Sequence, residues 1–197
     1  MSLLVTWRDD NPHEAVRQTN DPEEIAAAMT AMDCRFERRP VADVPPDAGQ
    51  DVYLEAYREI IGKLVTDEKF VTVDVATIHP SPDPGWPESA AAMRAKFIDE
   101  HTHGDDDEMR FMVRGGGVFF LHIGDRVHAL HAAAGDLTAV PKGTTHWFDT
   151  GVVPDFTAVR FFHEPQGWVG ISTGSDIATR FPDGDAIRAL SRELGRD

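Results

Sequence analysis

The spacing of apolar residues changes character along this chain. A short alternating run, "LLVTW" (3–7), reads as a strand. The pattern then turns helical. In "NDPEEIAAAM", Asp21 can cap a helix, Pro22 suits its first position, and Glu24 stands where a capping box would close. Tyr53, Tyr57, Ile60, Ile61 and Leu64 recur at helical spacing, which predicts a helix packed on a sheet. "FVTVDVATIHP" is rich in β-branched residues and predicts a strand. "PSPDPGWP" follows as a loop and "ESAAAMRAKF" as a short helix.

From about residue 97 to residue 170 the pattern changes again. Short runs ("EMRFMVRG", "GVFFLHIG", "RVHALHAA", "DLTAV", "HWFDT", "FTAVRFF") alternate with Gly, Asp and Pro, which predicts a small antiparallel barrel or sandwich. "RGGGV" (114–118) reads as a turn whose glycines permit positive φ. It lacks the strand–loop–helix setting of a phosphate-binding loop. The tail ends in a polar helix, "PDGDAIRALSRELGRD". No linker, repeat or low-complexity stretch divides the chain. The expectation is one domain over residues 1–197: mainly β, with a helical N-terminal part (about 1–96), a barrel core (about 97–170) and a C-terminal tail (171–197).

Composition narrows the class. Hydrophobic residues make up 41% and charged residues 27%, as in an ordinary soluble protein. The formal net charge of −15 repels a phosphate backbone, so nucleic acid is not an expected partner. No apolar run approaches the roughly 20 residues of a membrane helix, and "MSLLVTWRDDNP" lacks the basic start of a signal peptide. The single cysteine, Cys34, allows no intrachain disulfide and fits a reducing, cytoplasmic setting. No histidine adjoins it, and it reads as structural.

The candidate chemistry lies in "EHTHGDDDEMRF" (100–111). Alternate residues of a strand share a face, so His101 and His103 present two imidazoles to one side. "GDDD" has the composition of a turn, with Asp105, Asp106 and Asp107 read as solvated. Glu108 and Arg110 then share a face of the next strand. A third imidazole, His146, comes in "GDLTAVPKGTTHWF". Three imidazoles and a carboxylate suit a divalent first-row metal. Taken alone, HxH fits a solvated strand face equally well; the downstream acid and His146 favour the metal. Glu100 faces the opposite side from the two histidines and could orient a ligand from behind. His122 and His128 could face each other across "IGDR". Phe97 and Phe148 lie at even spacing from His101 and His146, and could line a cavity or simply be core. Phe111 faces away from Arg110 and reads as core.

"HTHGDDDE" with Gly115, and Gly135, Pro141, Gly143 and His146, resemble the two cupin motifs, which imply a β-barrel (double-stranded β-helix, or jelly roll) with a metal inside. A closer resemblance is to the bacterial acireductone dioxygenases. It rests on "AMRAKFIDEHTHG", "EMRF", "HWFDTG", "PDFTAVRFFHEPQGWVG" and "TGSDIATRFP", and covers roughly the last two-thirds of the chain. It implies His101, His103, Glu108 and His146 as ligands to one Fe(II) or Ni(II). It also implies that Arg110 holds the enediolate, with Phe97, Phe148 and Trp168 around the methylthioethyl tail. The implied reaction is oxidation of acireductone by O2 in methionine salvage. The iron form would yield a 2-oxo acid and formate; the nickel form a carboxylic acid, formate and carbon monoxide. The expected enzyme is a monomer acting on a small molecule, with no membrane partner. Two departures stand out. Four residues, not the usual three, separate HxH from the glutamate, so counting from the histidines selects Asp107, whereas counting back from "MRF" and Gly115 selects Glu108. The motif's common terminal Asn is Thr150 here. The alternatives are another cupin metalloenzyme, a different dioxygenase or an isomerase, and a non-catalytic cupin that binds a metal or small ligand.

Overall fold

The structure is a computed structural model that describes residues 1–104, 106–165, 167 and 169–195. Among these the chain runs β1 (Leu3–Arg8), β2 (Asn11–Thr19), α1 (Pro22–Thr30), β3 (Arg35–Arg38), α2 (Gln50–Ala56), α3 (Arg58–Glu68), β4 (Thr72–Ile78), α4 (Trp86–Arg94), β5 (His101–His103) and β6 (Glu108–Ile123). It continues through β7 (Arg126–Ala133), β8 (Asp136–Val140), β9 (Thr145–Asp149), β10 (Phe156–Phe162), β11 (Gly170–Ser172), a 3-10 turn (Ile177–Thr179) and α5 (Gly184–Leu194).

The 16-residue β6 is shared by two antiparallel sheets. Its first half pairs with β10 and β8, and through them with β4 and β3. Its second half pairs with β7 and β9. That sheet extends through β1 to β2 on one side and through β5 to β11 on the other. Side chains from both sheets meet in one apolar interior, including Leu4, Met112, Phe119, Leu121, Leu130, Val140, Phe148 and Ala158.

The expected turn at "RGGGV" is absent. The three glycines sit inside β6, and the strand bends there instead of reversing. Gly115 adopts φ +60°, and a Cβ on it would lie 2.0 Å from the Asp155 carbonyl oxygen. A Cβ on Gly117 would lie 2.3 Å from the Phe148 ring. The inward-facing parity also changes across the bend. Met112 points inward before it and Phe119 and Leu121 after it, while Met109, Phe111 and Val113 pack outward. The neighbouring β10 shows a register shift between Thr157 and Ala158 at the same place. A bulge that lets a strand change sheets accounts for this.

The predicted helix on a sheet is present but broken at Tyr57 into α2 and α3. Tyr53, Tyr57 and Leu64 bury against Phe111, Val159 and Phe161, and the Tyr57 hydroxyl accepts the Ala42 N–H at 3.0 Å. On the other outer face, the 3-10 turn, the link after it and α5 cover Trp7, Phe120 and Trp147 with Ile177, Phe181 and Ile187. Asp21 caps α1, accepting from the N–H groups of Glu23 and Glu24 at 2.8 and 3.1 Å. Glu24 does not close a capping box: the Asp21 N–H donates to Thr19 Oγ1 at 3.2 Å. Two strands of the N-terminal part, β2 and β3, escape the sequence pattern. β2 is a largely exposed strand at the sheet edge, without a buried face to impose alternation. No described helix is long and apolar enough to cross a membrane.

The Gly115→Ala variant is expected to lose roughly 1–3 kcal/mol of stability, from a positive φ and an overlap with fixed backbone. Urea unfolding measures this, and an unchanged midpoint would show that the bend does not need glycine.

Candidate metal centre

The site is assembled where β5, β9 and the start of β6 come together. His101 and His103 share a face of β5, as period-two geometry requires, and His101 stands in register with His146 on β9. The three imidazoles are buried, and one nitrogen from each lies within 4.8 Å of the others. Ring centroids are 4.7 Å apart for His101–His146, 4.6 Å for His103–His146 and 5.2 Å for His101–His103. The Nδ1–H groups of His101 and His146 each donate to a backbone carbonyl two residues earlier, Asp99 and Thr144, at 2.8 Å. These bonds hold the rings in place and leave Nε2 to act as the ligand atom. Burial lowers the pKa of His101, and brings that of His103 to about 4, so both are neutral near pH 7, the form that binds metal.

Glu108 closes the cluster from β6. Its Oε2 lies 2.9 Å from His146 Nε2 and 3.7 Å from His103 Nδ1, and its other oxygen pairs with the Arg110 guanidinium. Burial alone would push the Glu108 carboxyl up; Arg110 and the hydrogen bond to His146 outweigh it and hold the pKa at about 2. The carboxylate is therefore ionised although it is 1% exposed. With His146 Nδ1 committed to Thr144, its Nε2 meets a carboxylate oxygen, an approach that needs a proton or a metal cation between the two atoms. The donor set fits a divalent metal ion.

Asp106 and Asp107 are engaged elsewhere. Asp107 accepts the Lys142 N–H at 2.8 Å. Asp106, read from sequence as solvated, is buried. It accepts the His163 backbone N–H at 2.6 Å and bonds the His163 ring, also at 2.6 Å. Only the fold brings residue 163 to residue 106, so their pairing is invisible locally. Asp105 lies outside the described residues. Glu100 does face away from the histidines, and it bonds His122 Nδ1 and the Thr173 hydroxyl, each at 2.6 Å. His122 and His128 do not meet: His122 stands opposite Val127, and His128 bonds Thr6 Oγ1 at 2.9 Å.

Arg110 is 5% exposed and lies against the Phe148 and Phe119 rings, at 4.6 and 5.5 Å from their centroids. Phe97, Phe148 and Arg110 line one cavity of about 330 Å³, together with Ile78, Met93 and Phe156. Phe111 is fully buried on the opposite face, against Tyr57. Trp168 lies outside the described residues. A second cavity, of about 390 Å³, adjoins the first through Lys96, Phe97 and Arg160 and reaches Gly170, the strand partner of His103. Sequence reading passed over Arg160, which stands opposite Arg110 in register and is clamped by Asp74 at 2.7 and 2.6 Å. Its one local signal is a lone cation inside the apolar run "FTAVRFF".

Comparison with known proteins adds a consistent result. The sequence profile of the "ARD/ARD' family" matches residues 7–170. The acireductone dioxygenase of Frankia alni is 55% identical over 192 residues, covering 97% of this chain and 93% of that protein. That of Saccharopolyspora erythraea is 47% identical over 189 residues, covering 96% and 99%. Among solved structures, acireductone dioxygenase from Bacillus anthracis, with a cadmium ion in its active centre, superposes with a TM-score of 0.71 at 23% identity. That match covers 87% of this chain and 98% of that one. The fold is therefore the cupin barrel that the motifs implied.

The Asp106–His163 pair yields a pH prediction. Burial lowers the His163 pKa, but bonds to Asp106 and to the Glu68 carbonyl outweigh it, and the net shift is upward. The pair's contribution to stability is full below the unfolded histidine value of about 6.5 and is lost as pH rises through the raised one. NMR titration should find the His163 pKa above that of an exposed histidine in the native chain and reduced in Asp106→Asn. Equal values in the two proteins would contradict the assignment.

Proposed function

The chain belongs to the ARD/ARD' family, the acireductone dioxygenases, and from that premise we propose how its residues serve the reaction. It is a dioxygenase of methionine salvage that acts on acireductone and O2. In our reading His101, His103, His146 and Glu108 hold one divalent ion, Fe(II) or Ni(II). The observation that carries this is the approach of His146 Nε2 to the ionised Glu108 at 2.9 Å inside a buried imidazole cluster. The reading leaves Asp107 out of the set, which its Oδ1, accepting the Lys142 N–H, supports. All four ligands come from one chain, so a monomer suffices. A cytoplasmic setting accords with the single buried cysteine.

When bound, the ion supplies a Lewis-acid centre that draws the enediolate oxygens and readies the electron-rich substrate for O2. The remaining work falls to the protein. Arg110 is a preorganised cation that need not be desolvated at the moment of reaction, since its burial cost is already met by Glu108 and the aromatic faces. It meets the charge of the enediolate. Phe97 and Phe148 give the methylthioethyl tail an apolar wall and keep water from the reacting carbons. Trp168 is assigned to the same wall from sequence alone. Iron loading is expected to give the 2-oxo acid and formate, and nickel loading the shorter carboxylic acid, formate and carbon monoxide.

Metal-free protein reconstituted anaerobically with Fe(II) or Ni(II), then given acireductone and O2, tests this reading. Substrate loss should require metal, and carbon monoxide should appear only with nickel; consumption that ignores the metal would refute it. Replacing His101 or His146 with alanine should remove most bound metal, measured by elemental analysis. One retained ion per chain would sink the ligand assignment. Arg110→Ala should keep the metal and lower turnover by about 10²-fold or more, the scale of a lost oxyanion donor. Unchanged turnover would take Arg110 out of the mechanism.

A further inference from the structure

The cavity that contains Phe97, Phe148 and Arg110 is lined by three cationic side chains, Lys96, Arg110 and Arg160, and by no carboxylate among its described residues. This is a local reversal of sign in a chain of net charge −15. Two of the three cations are already neutralised. Arg110 pairs with Glu108, and Asp74 grips Arg160 through two hydrogen bonds. Lys96 is different: no ion pair or hydrogen bond to its ammonium is found among the described residues, and it is exposed. It also borders the adjoining cavity of about 390 Å³, so it stands where the two spaces meet and where solvent reaches them.

We propose that Lys96 captures the anionic substrate at the mouth of the site and passes it toward Arg110. The inference rests on the acireductone reading, because it requires a substrate that arrives as an anion. At distances near the screening length such an anion is repelled by the acidic surface as a whole. One uncompensated positive charge at the entrance offsets that repulsion where it matters. A lysine suits a transient contact. Its ammonium is a compact, hydrated charge on a flexible stem, without the planar fork that makes arginine a clamp. Its neighbour Phe97 borders the same two cavities, so charge and apolar wall adjoin at the point of entry. Lys96 is accordingly a positioning residue whose effect falls on capture, with little effect on the bond-breaking steps.

The test compares metal-loaded native enzyme with Lys96→Gln, Lys96→Glu and a control, Lys63→Gln, which removes the same charge from the exposed face of α3. Lys96→Gln should raise KM by about 3- to 10-fold with a much smaller change in kcat, as expected of a charge at the rim. Lys96→Glu should raise it further, and Lys63→Gln should leave it unchanged. Raising salt from about 0.01 M to about 0.1 M shortens the screening length from about 30 Å to about 10 Å. Salt screens the attraction to Lys96 together with the repulsion from the acidic surface, so the slope of log kcat/KM against ionic strength should be more negative for the native enzyme than for Lys96→Gln. Anaerobic binding of acireductone to nickel-loaded protein should weaken in step with KM. Equal KM values and equal salt slopes in native and Lys96→Gln enzyme overturn the proposal and leave the acireductone reading intact. A fall in kcat matching that in kcat/KM also overturns it, by moving Lys96 into the chemistry. Native enzyme that holds metal and does not consume acireductone overturns both.

Discussion

One strand must serve two sheets in this molecule, and the remaining architecture depends on how it does so. β6 enters beside β8 and β10, bends at Gly115–Gly116–Gly117, and leaves between β7 and β9. Its first residues supply Glu108 and Arg110. Its last residues supply Phe119, which supports the Arg110 guanidinium, and Leu121, which stands opposite His146. A side chain at residue 117 would occupy the space of the Phe148 ring, which is itself part of the cavity wall. The bend therefore determines both where the barrel turns and how much room remains inside it.

Ionised groups in such an interior are costly unless each is matched. Glu108 and Arg110 are both nearly inaccessible, and they are stable there because each is the other's partner while the aromatic rings cover the guanidinium. A well-packed hydrophobic pair would often serve stability as well or better. The polar arrangement makes sense in terms of what it can receive: a cation between imidazoles and carboxylate, and an anion against the guanidinium. The apolar walls beside it sharpen both attractions by keeping water away. The arrangement at the rim follows the same logic, with Asp74 neutralising Arg160 and leaving net positive character to Lys96.

Between β5 and β6 the sequence carries one residue more than the motif it resembles, and Glu108 and Arg110 both stand on the inner face of β6. Asp107 turns to the Lys142 backbone and Asp106 is drawn under His163. The length of a turn is thus a weaker constraint than the parity of a strand, because a one-residue slip in β6 would move every side chain to the wrong face.

Much of this was legible in the sequence. The period-two runs from "EMRFMVRG" to "FTAVRFF", the helical spacing of Tyr53 to Leu64, and the shared faces of His101 with His103 and of Glu108 with Arg110 follow from backbone geometry that every residue obeys locally; the two pairs meet through β9, which ladders with both β5 and β6. The cap at Asp21 is local in the same sense. The tertiary structure alone decided the rest. Glycine carries no polarity, so "RGGGV" could not announce that a strand continues through it. β2 has no buried face, so no alternation marks it as a strand. Asp106 and His163, Arg160 and Asp74, and Lys96 with the two cavities it joins are relations between residues distant in the chain. Local composition records which groups a chain carries; which of them are buried, paired or left facing solvent is a property of contacts that exist only once the sheets have closed.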